Sequence, residues 1–172
     1  MRMIPIALAV LAATTVTQAT HADDAQENRS AELQVLDRLF IGTWESVVTN
    51  NTTGEKSNTV EKRRWSKAGS FILSEDMNLS TKQEAHFLIT YDPNGKKYRS
   101  CYIDQNGAAI INGTWDEDTD TMEWSGIDFA GNKSAGKTRL IDKDHIEWSL
   151  VITNPDGKVL VELSTKQQRS KK

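Results

Sequence analysis

From Gly42 onward the chain is written in period two. His145-Ile146-Glu147-Trp148-Ser149-Leu150 alternates polar with apolar, and Ile152 continues the apolar side. Met122 and Trp124 stand opposite Glu123 and Ser125, and Val159, Val161 and Leu163 share a side opposite Glu162. Successive side chains of an extended strand leave on opposite faces, so these runs predict half-buried β-strands. Turn-forming residues interrupt them at near-regular intervals: Asn50 to Gly54, Ala68-Gly69, Pro93-Asn94-Gly95, Asn106-Gly107, Asp116 to Asp120, Gly131-Asn132, Asp142 to Asp144 and Pro155-Asp156-Gly157. Asn-Gly and Asp-Gly pairs suit the positive backbone angles of tight hairpins. Runs of about 8–12 residues between such turns predict antiparallel neighbours, about ten strands in a meander. No connection is long enough for a crossover helix, which excludes parallel pairing. A sheet of that many strands curls or closes, because open edges invite aggregation. The expected fold class is therefore all-β, a single antiparallel up-and-down β-barrel of about ten strands. Ahead of it Leu33, Leu36, Leu39 and Phe40 fall at helical spacing and predict a short N-terminal helix. Phe71-Ile72-Leu73 and Phe87-Leu88-Ile89 are apolar on both faces and call for cover outside the sheet, from that helix or from a second copy.

Composition narrows the class of function. In 172 residues, 21 Lys and Arg stand against 24 Asp and Glu, and the formal charge of -3 excludes a dominant nucleic-acid surface. With 37% apolar residues the chain is not a disordered one, and a single Cys excludes a disulfide framework or a Cys-rich zinc site. Met1-Arg2-Met3, the apolar run Ile4 to Ala13 and the small and polar residues Thr14 to Ala22 follow the order of a secretory signal. Cleavage is expected after Ala22, with Ala19 as the other small-residue exit. The apolar run is far short of the roughly 20 residues that span a bilayer. The expected organisation is a signal peptide at 1–22, a loose segment at 23–31, the barrel domain at 32–168 and a basic tail at 169–172. The expected location is periplasmic or extracellular, where ATP, NADH and reducing thiols are scarce.

Gly42-Thr43-Trp44 after a short helix resembles the Gly-x-Trp opening of lipocalins and other calycin-type barrels. In those barrels the Trp closes one end, often under a basic side chain from the last strand; the resemblance implies that role for Trp44, with Lys166 or Arg169 as the base. A second copy, Gly113-Thr114-Trp115, reads as coincidence. Further along stand Arg64-Trp65-Ser66-Lys67, Ser70-Phe71, Tyr91-Asp92-Pro93 with Arg99-Ser100, Gly113-Thr114-Trp115 and Asp144 to Trp148. In this order they resemble an uncharacterised lipocalin-like family of exported bacterial proteins, over roughly residues 32 to 168. The resemblance implies a fold and an exported protein, and no activity.

Three motifs carry a sharper chemistry in their letters than in their setting. Gly131-Asn132-Lys133-Ser134-Ala135-Gly136-Lys137-Thr138 matches the phosphate-loop pattern. That loop works only between a buried parallel strand and a helix opening at Lys-Thr. Only Arg139 to Asp144 separates it from the next strand, so a hairpin tip is expected instead. Asp116-Glu117-Asp118-Thr119-Asp120 starts like a calcium loop, but Thr121 replaces the turn Gly and Ile127 the bidentate Glu. His86 and His145 are the histidines beyond the signal, and neither forms a zinc-binding spacing. Asp144 and Glu147 around His145 suit solvent better than haem. No Gly-x-Ser-x-Gly elbow is present, and Cys101 has no obvious His or cationic partner to lower its pKa. No catalytic residue, metal ligand or cofactor is therefore assigned.

The aromatics remain. Trp65, Phe71, Tyr91, Tyr98, Tyr102, Trp124 and Trp148 are spread over most of the strands and are the candidate lining of a pocket. Arg64, Arg99 or Arg139 is the candidate anchor for an anionic head. The expected function is non-catalytic binding of a small apolar or amphipathic molecule, or an anionic amphiphile, inside the barrel, by a monomer or homodimer. The alternative is an accessory domain with a filled core that acts through protein contact. A continuous cavity separates the two.

Overall fold

The computed structural model describes residues 29–171. The expected signal at 1–22 and residues 23–28 of the loose segment lie outside the described residues. Helix α1, Ala31–Phe40, is followed by ten strands: β1 Gly42–Asn50, β2 Lys56–Trp65, β3 Ile72–Asn78, β4 Glu84–Asp92, β5 Lys97–Asp104, β6 Gly107–Asp116, β7 Thr121–Asp128, β8 Lys133–Asp142, β9 His145–Thr153 and β10 Val159–Arg169. Each strand pairs antiparallel with its sequence neighbours, and β1 closes on β10 to complete the barrel. This is the expected all-β architecture with its short helix.

Residues directly opposite in an antiparallel ladder share a face, so the register assigns every strand its inward side. Trp44 stands opposite Glu61 and Arg169, Arg63 opposite Ser74, Ser74 opposite Phe87, and Phe87 opposite Tyr102. Around the other half Gly113 faces Trp124, Trp124 faces Gly136, Thr138 faces Trp148 and Trp148 faces Thr165. All of these look into the lumen.

α1 plugs one end. Its buried face, Val35, Leu36, Leu39 and Phe40, packs on Ile72, Ile89, Tyr98 and Met122, inward residues near that end of their strands. Three Trp–Arg stacks seal the rim of this floor: Arg169 lies 4.3 Å over Trp44, Arg29 4.3 Å over Trp65 and Arg38 5.5 Å over Trp115. Trp44 is fully buried, donates from Nε1 to the Phe40 carbonyl at 2.8 Å and so ties helix to strand. Gly42 is required at its place: its φ is +122°, and a Cβ there would sit 2.8 Å from Arg169 Nη1. Of the two bases considered for closing the barrel, Arg169 stacks on Trp44, whereas Lys166 is 86% exposed on the outer face beside Glu147.

Three further expectations change. Arg169 ends β10 and is not part of a tail. Arg29, inside the segment expected to be loose, is held by Asp37 at 2.9 Å, and Ala31 already belongs to α1. The second Gly-x-Trp is not idle: Trp115 is one of the sealing residues, and Gly113 leaves room for the Trp124 ring, which a Cβ would meet at 2.6 Å.

Candidate functional site

Above the floor the lumen has two unlike walls. On β4 to β9 it is mainly apolar, with Ser100 and Thr138 as buried polar exceptions. Phe87 and Tyr102 pack ring to ring at 4.8 Å, Trp124 tilts against Phe40 at 6.2 Å, and Trp148, Leu150 and Ile111 continue the surface. On β1, β2, β3 and β10 it is polar, carrying Ser46, Thr59, Glu61, Arg63, Ser74, Asp76, Thr165 and Gln167. Burial falls from floor to mouth. Ile72, Met122 and Ile146 at the helix end are buried, whereas Phe87, Tyr102, Ile111, Trp148, Leu150 and Leu163 are only half-buried although they face inward. Ten strands make a wider tube than eight, whose side chains just fill it. α1 closes one end of the barrel, and the inward side chains away from it are only half-buried.

The polar wall is organised around Arg63. Its Nη2 donates to Glu61 Oε2 and, at 3.3 Å, to Gln167 Oε1, while Gln167 Nε2 donates to Glu61 Oε1. Burial lowers the Arg63 guanidinium to about 10, Asp76 opposing the shift and Arg169 adding to it. Burial likewise raises the Asp76 carboxyl, against the pull of Arg63, a 2.5 Å bond from Ser74 Oγ and His86. Tyr102 donates to Asp104 Oδ2 at 2.8 Å, and its hydroxyl is raised by burial first and then by that carboxylate. Near the rim Ser46 and Thr59 share a hydrogen bond of 2.6 Å.

The aromatics expected to line a pocket divide by height. Trp65, Tyr91 and Tyr98 belong to the floor: Trp65 donates to Asp37 at 2.6 Å, Tyr98 to the Glu32 carbonyl at 3.1 Å, and Tyr91 packs on Tyr98 at 5.1 Å. Phe71 lies in the β2–β3 connection at the same end. Tyr102, Trp124 and Trp148 face the lumen above them. The expected arginine anchors do not reach it. Arg64, Arg99 and Arg139 all lie on the outer face, Arg64 within 3.6 Å of Glu75 and Arg99 3.0 Å from Asp92. Strand parity explains the miss, because a shift of one residue exchanges inside for outside. Val60-Glu61-Lys62-Arg63-Arg64-Trp65 has no apolar alternation to reveal which arginine points inward.

The borrowed motifs resolve into local structure. Gly131 sits at a hairpin tip with φ +82°, and Lys133–Asp142 is strand β8, so no helix opens at Lys137. Lys137 pairs with Glu123 at 2.8 Å on the outside. Asp116 caps its own turn through Asp118 N and Thr119 Oγ1. His145 is exposed beside Asp142. Among the described residues no group of three or more His, Cys, Asp or Glu side chains could hold a metal ion, and no helix is long and apolar enough to cross a membrane.

The family pattern described as "Protein of unknown function (DUF1579)" matches residues 28–169, from just ahead of α1 to the last residue of β10. The chain belongs to the DUF1579 family. No curated protein matches this DUF1579 member. Solved structures share its fold. The S-type phycobiliprotein lyase CPES from Guillardia theta superposes with a TM-score of 0.59 at 12% identity, covering 88% of this chain and 99% of that one. Rv2717c from M. tuberculosis gives 0.56 at 13% identity, with 83% and 99% covered. A DUF3598 protein of unknown function from Nostoc punctiforme PCC 73102 gives 0.53 at 11%, and there the match spans 80% of this chain but only 49% of that one. At such identities the likeness establishes the lipocalin-like barrel of this DUF1579 chain and nothing finer.

Proposed function

We propose that this DUF1579 chain is an exported carrier that binds a small amphipathic molecule in the lumen without chemical turnover. The ligand enters at the end away from α1. One observation carries the reading: the lumen is sealed at the floor, half-open above it, and split lengthwise into an aromatic wall and a polar wall. Such a cleft suits a molecule with one apolar and one polar side. Export rests on the order of residues in Met1 to Ala22. The lyase from Guillardia theta supports the reading only as a protein of the same fold.

Magnitudes set the expected strength. Burying ~300 Å² of ligand apolar surface is worth roughly 7 kcal/mol at 25 cal/mol/Å². Association costs of at least about 4 kcal/mol leave a net affinity in the weak range unless the polar end is also held. The test is titration of the protein with a lipophilic anionic dye and with single-chain amphiphiles, read by Trp emission. Saturable quenching that Trp148→Phe reduces is expected. Linear, unsaturable quenching with every probe would reject the carrier reading.

A second reading, contact with another protein, is favoured by a groove of about 700 Å³ on the outer face. Ile110, Ile127, Ala135 and Val151 of β6 to β9 line it. Light scattering on Ile127→Ser against the unaltered chain distinguishes self-association there from a free surface.

A further inference from the structure

Within the polar wall the hydrogen-bond inventory is nearly closed, and the exception is a donor. Both oxygens of Glu61 are occupied, one by Arg63 and one by Gln167. Arg63 spends Nη2 on Glu61 and Gln167, and its side chain is 7% exposed. Its Nη1 has no hydrogen-bond partner among the described residues. The rings of Phe40 and Trp44, 5.2 and 6.0 Å from the guanidinium carbon, flank it and steady its charge. They supply no oxygen or nitrogen acceptor. A buried donor left without an acceptor is costly, more so when it is charged, and native structures retain few of them. The unmet demand at the base of the lumen is thus for an oxygen acceptor.

We propose that Arg63 is the head-group anchor of the barrel: an amphiphile carrying a carboxylate enters head first, its oxygen is received by Nη1 of Arg63, and its tail lies on the Phe87–Tyr102–Trp148 wall. This deepens the carrier reading and rests on it. Asp76 stands opposite Glu61 on the neighbouring strand, within the field of Arg63. The charged and titratable groups around Asp76 are Glu61 and Arg63 on β2, His86 on β4, and Tyr102 with Asp104 on β5. Burial raises this carboxyl from its ordinary value, against the pull of Arg63, Ser74 and His86. An arginine suits the task because one edge of its planar fork can stay on Glu61 while the other serves the ligand.

The experiment compares dodecanoate, dodecanol and dodecylamine, which share one tail, against the full chain by isothermal titration at neutral pH. Dodecanoate is expected to bind at least tenfold more tightly than dodecanol. Arg63→Gln is expected to abolish that advantage, with Arg63→Lys in between. Should Arg63→Gln fail to fold, the head-group series on the unaltered chain still decides. Equal binding of dodecanoate and dodecanol overturns the Arg63 anchor and leaves the carrier reading standing. Dodecylamine binding tightest overturns it too and transfers the head to Asp76. No binding of any of the three removes the carrier reading itself.

Discussion

At the scale of single residues, the contrast between Arg63 and Arg64 shows what decides a site in a barrel. The two are adjacent and chemically identical, yet one is the buried centre of a network and the other lies in solvent beside Glu75. Parity is fixed by register with neighbouring strands, which a single segment of sequence does not contain. For that reason the aromatics were legible as a set while the polar wall of Glu61, Arg63, Asp76 and Gln167 was not. Asp76 gives the testable consequence. Its carboxyl binds a proton more tightly in the folded chain than at its ordinary value of 3.8. The native state therefore holds more protons than the unfolded one between those two values, and stability falls as pH rises through that window. Asp76→Asn removes the loss: the melting temperature at pH 7 is expected to rise by a few degrees and to equal that of the unaltered chain below pH 3.8. Thermal melts of both proteins across pH 3 to 8 measure it; a lower melting temperature for Asp76→Asn at pH 7 would show that its attraction to Arg63 outweighs its burial.

At the scale of elements, the turns were the most readable feature and one of them was silent. Eight of the connections between strands announce themselves with Gly, Pro, Asn or Asp, but the β3–β4 connection, Leu79 to Gln83, has neither Gly nor Pro. Asn78 builds it, accepting from Ser80 N at 3.0 Å and Thr81 N at 3.1 Å, while Lys82 takes a φ of +60°. An Asn side chain imitating a backbone turn leaves a fainter mark than a glycine. α1 was legible from its spacing, but its task was not: covering the outside of the sheet was one expectation, and it plugs the barrel instead. Leu39, with no exposed surface, lies in that plug. Leu39→Ala is expected to cost about 2–5 kcal/mol. Urea denaturation followed by far-UV dichroism and by Trp emission checks it, and a loss below about 1 kcal/mol would mean that the barrel stands without its stopper.

At the scale of the whole molecule, the closed meander followed from arithmetic on turn spacing, because ten strands joined by short hairpins have few alternatives to closure. What arithmetic does not provide is the polarity of the tube. Which end is shut depends on where α1 docks, through Phe40, Trp44 and three Trp–Arg stacks contributed by distant parts of the chain. The ladder between β1 and β10 is the costliest of these long connections. Thr165 Oγ1 donates to the Val47 carbonyl across 118 residues, whereas the other ladders join consecutive strands. As the chain folds from its N-terminal side the nine hairpins can zip in turn, but β1 must wait with an unsatisfied edge until β10 is available. The vessel therefore acquires its interior only in the last kinetic step, and slow burial of Trp44 after fast hairpin formation is the expected stopped-flow signature. A chaperone acting on this chain would be guarding that waiting strand, and a nascent chain stalled before Val159 would offer the cell an adhesive ribbon in place of a container.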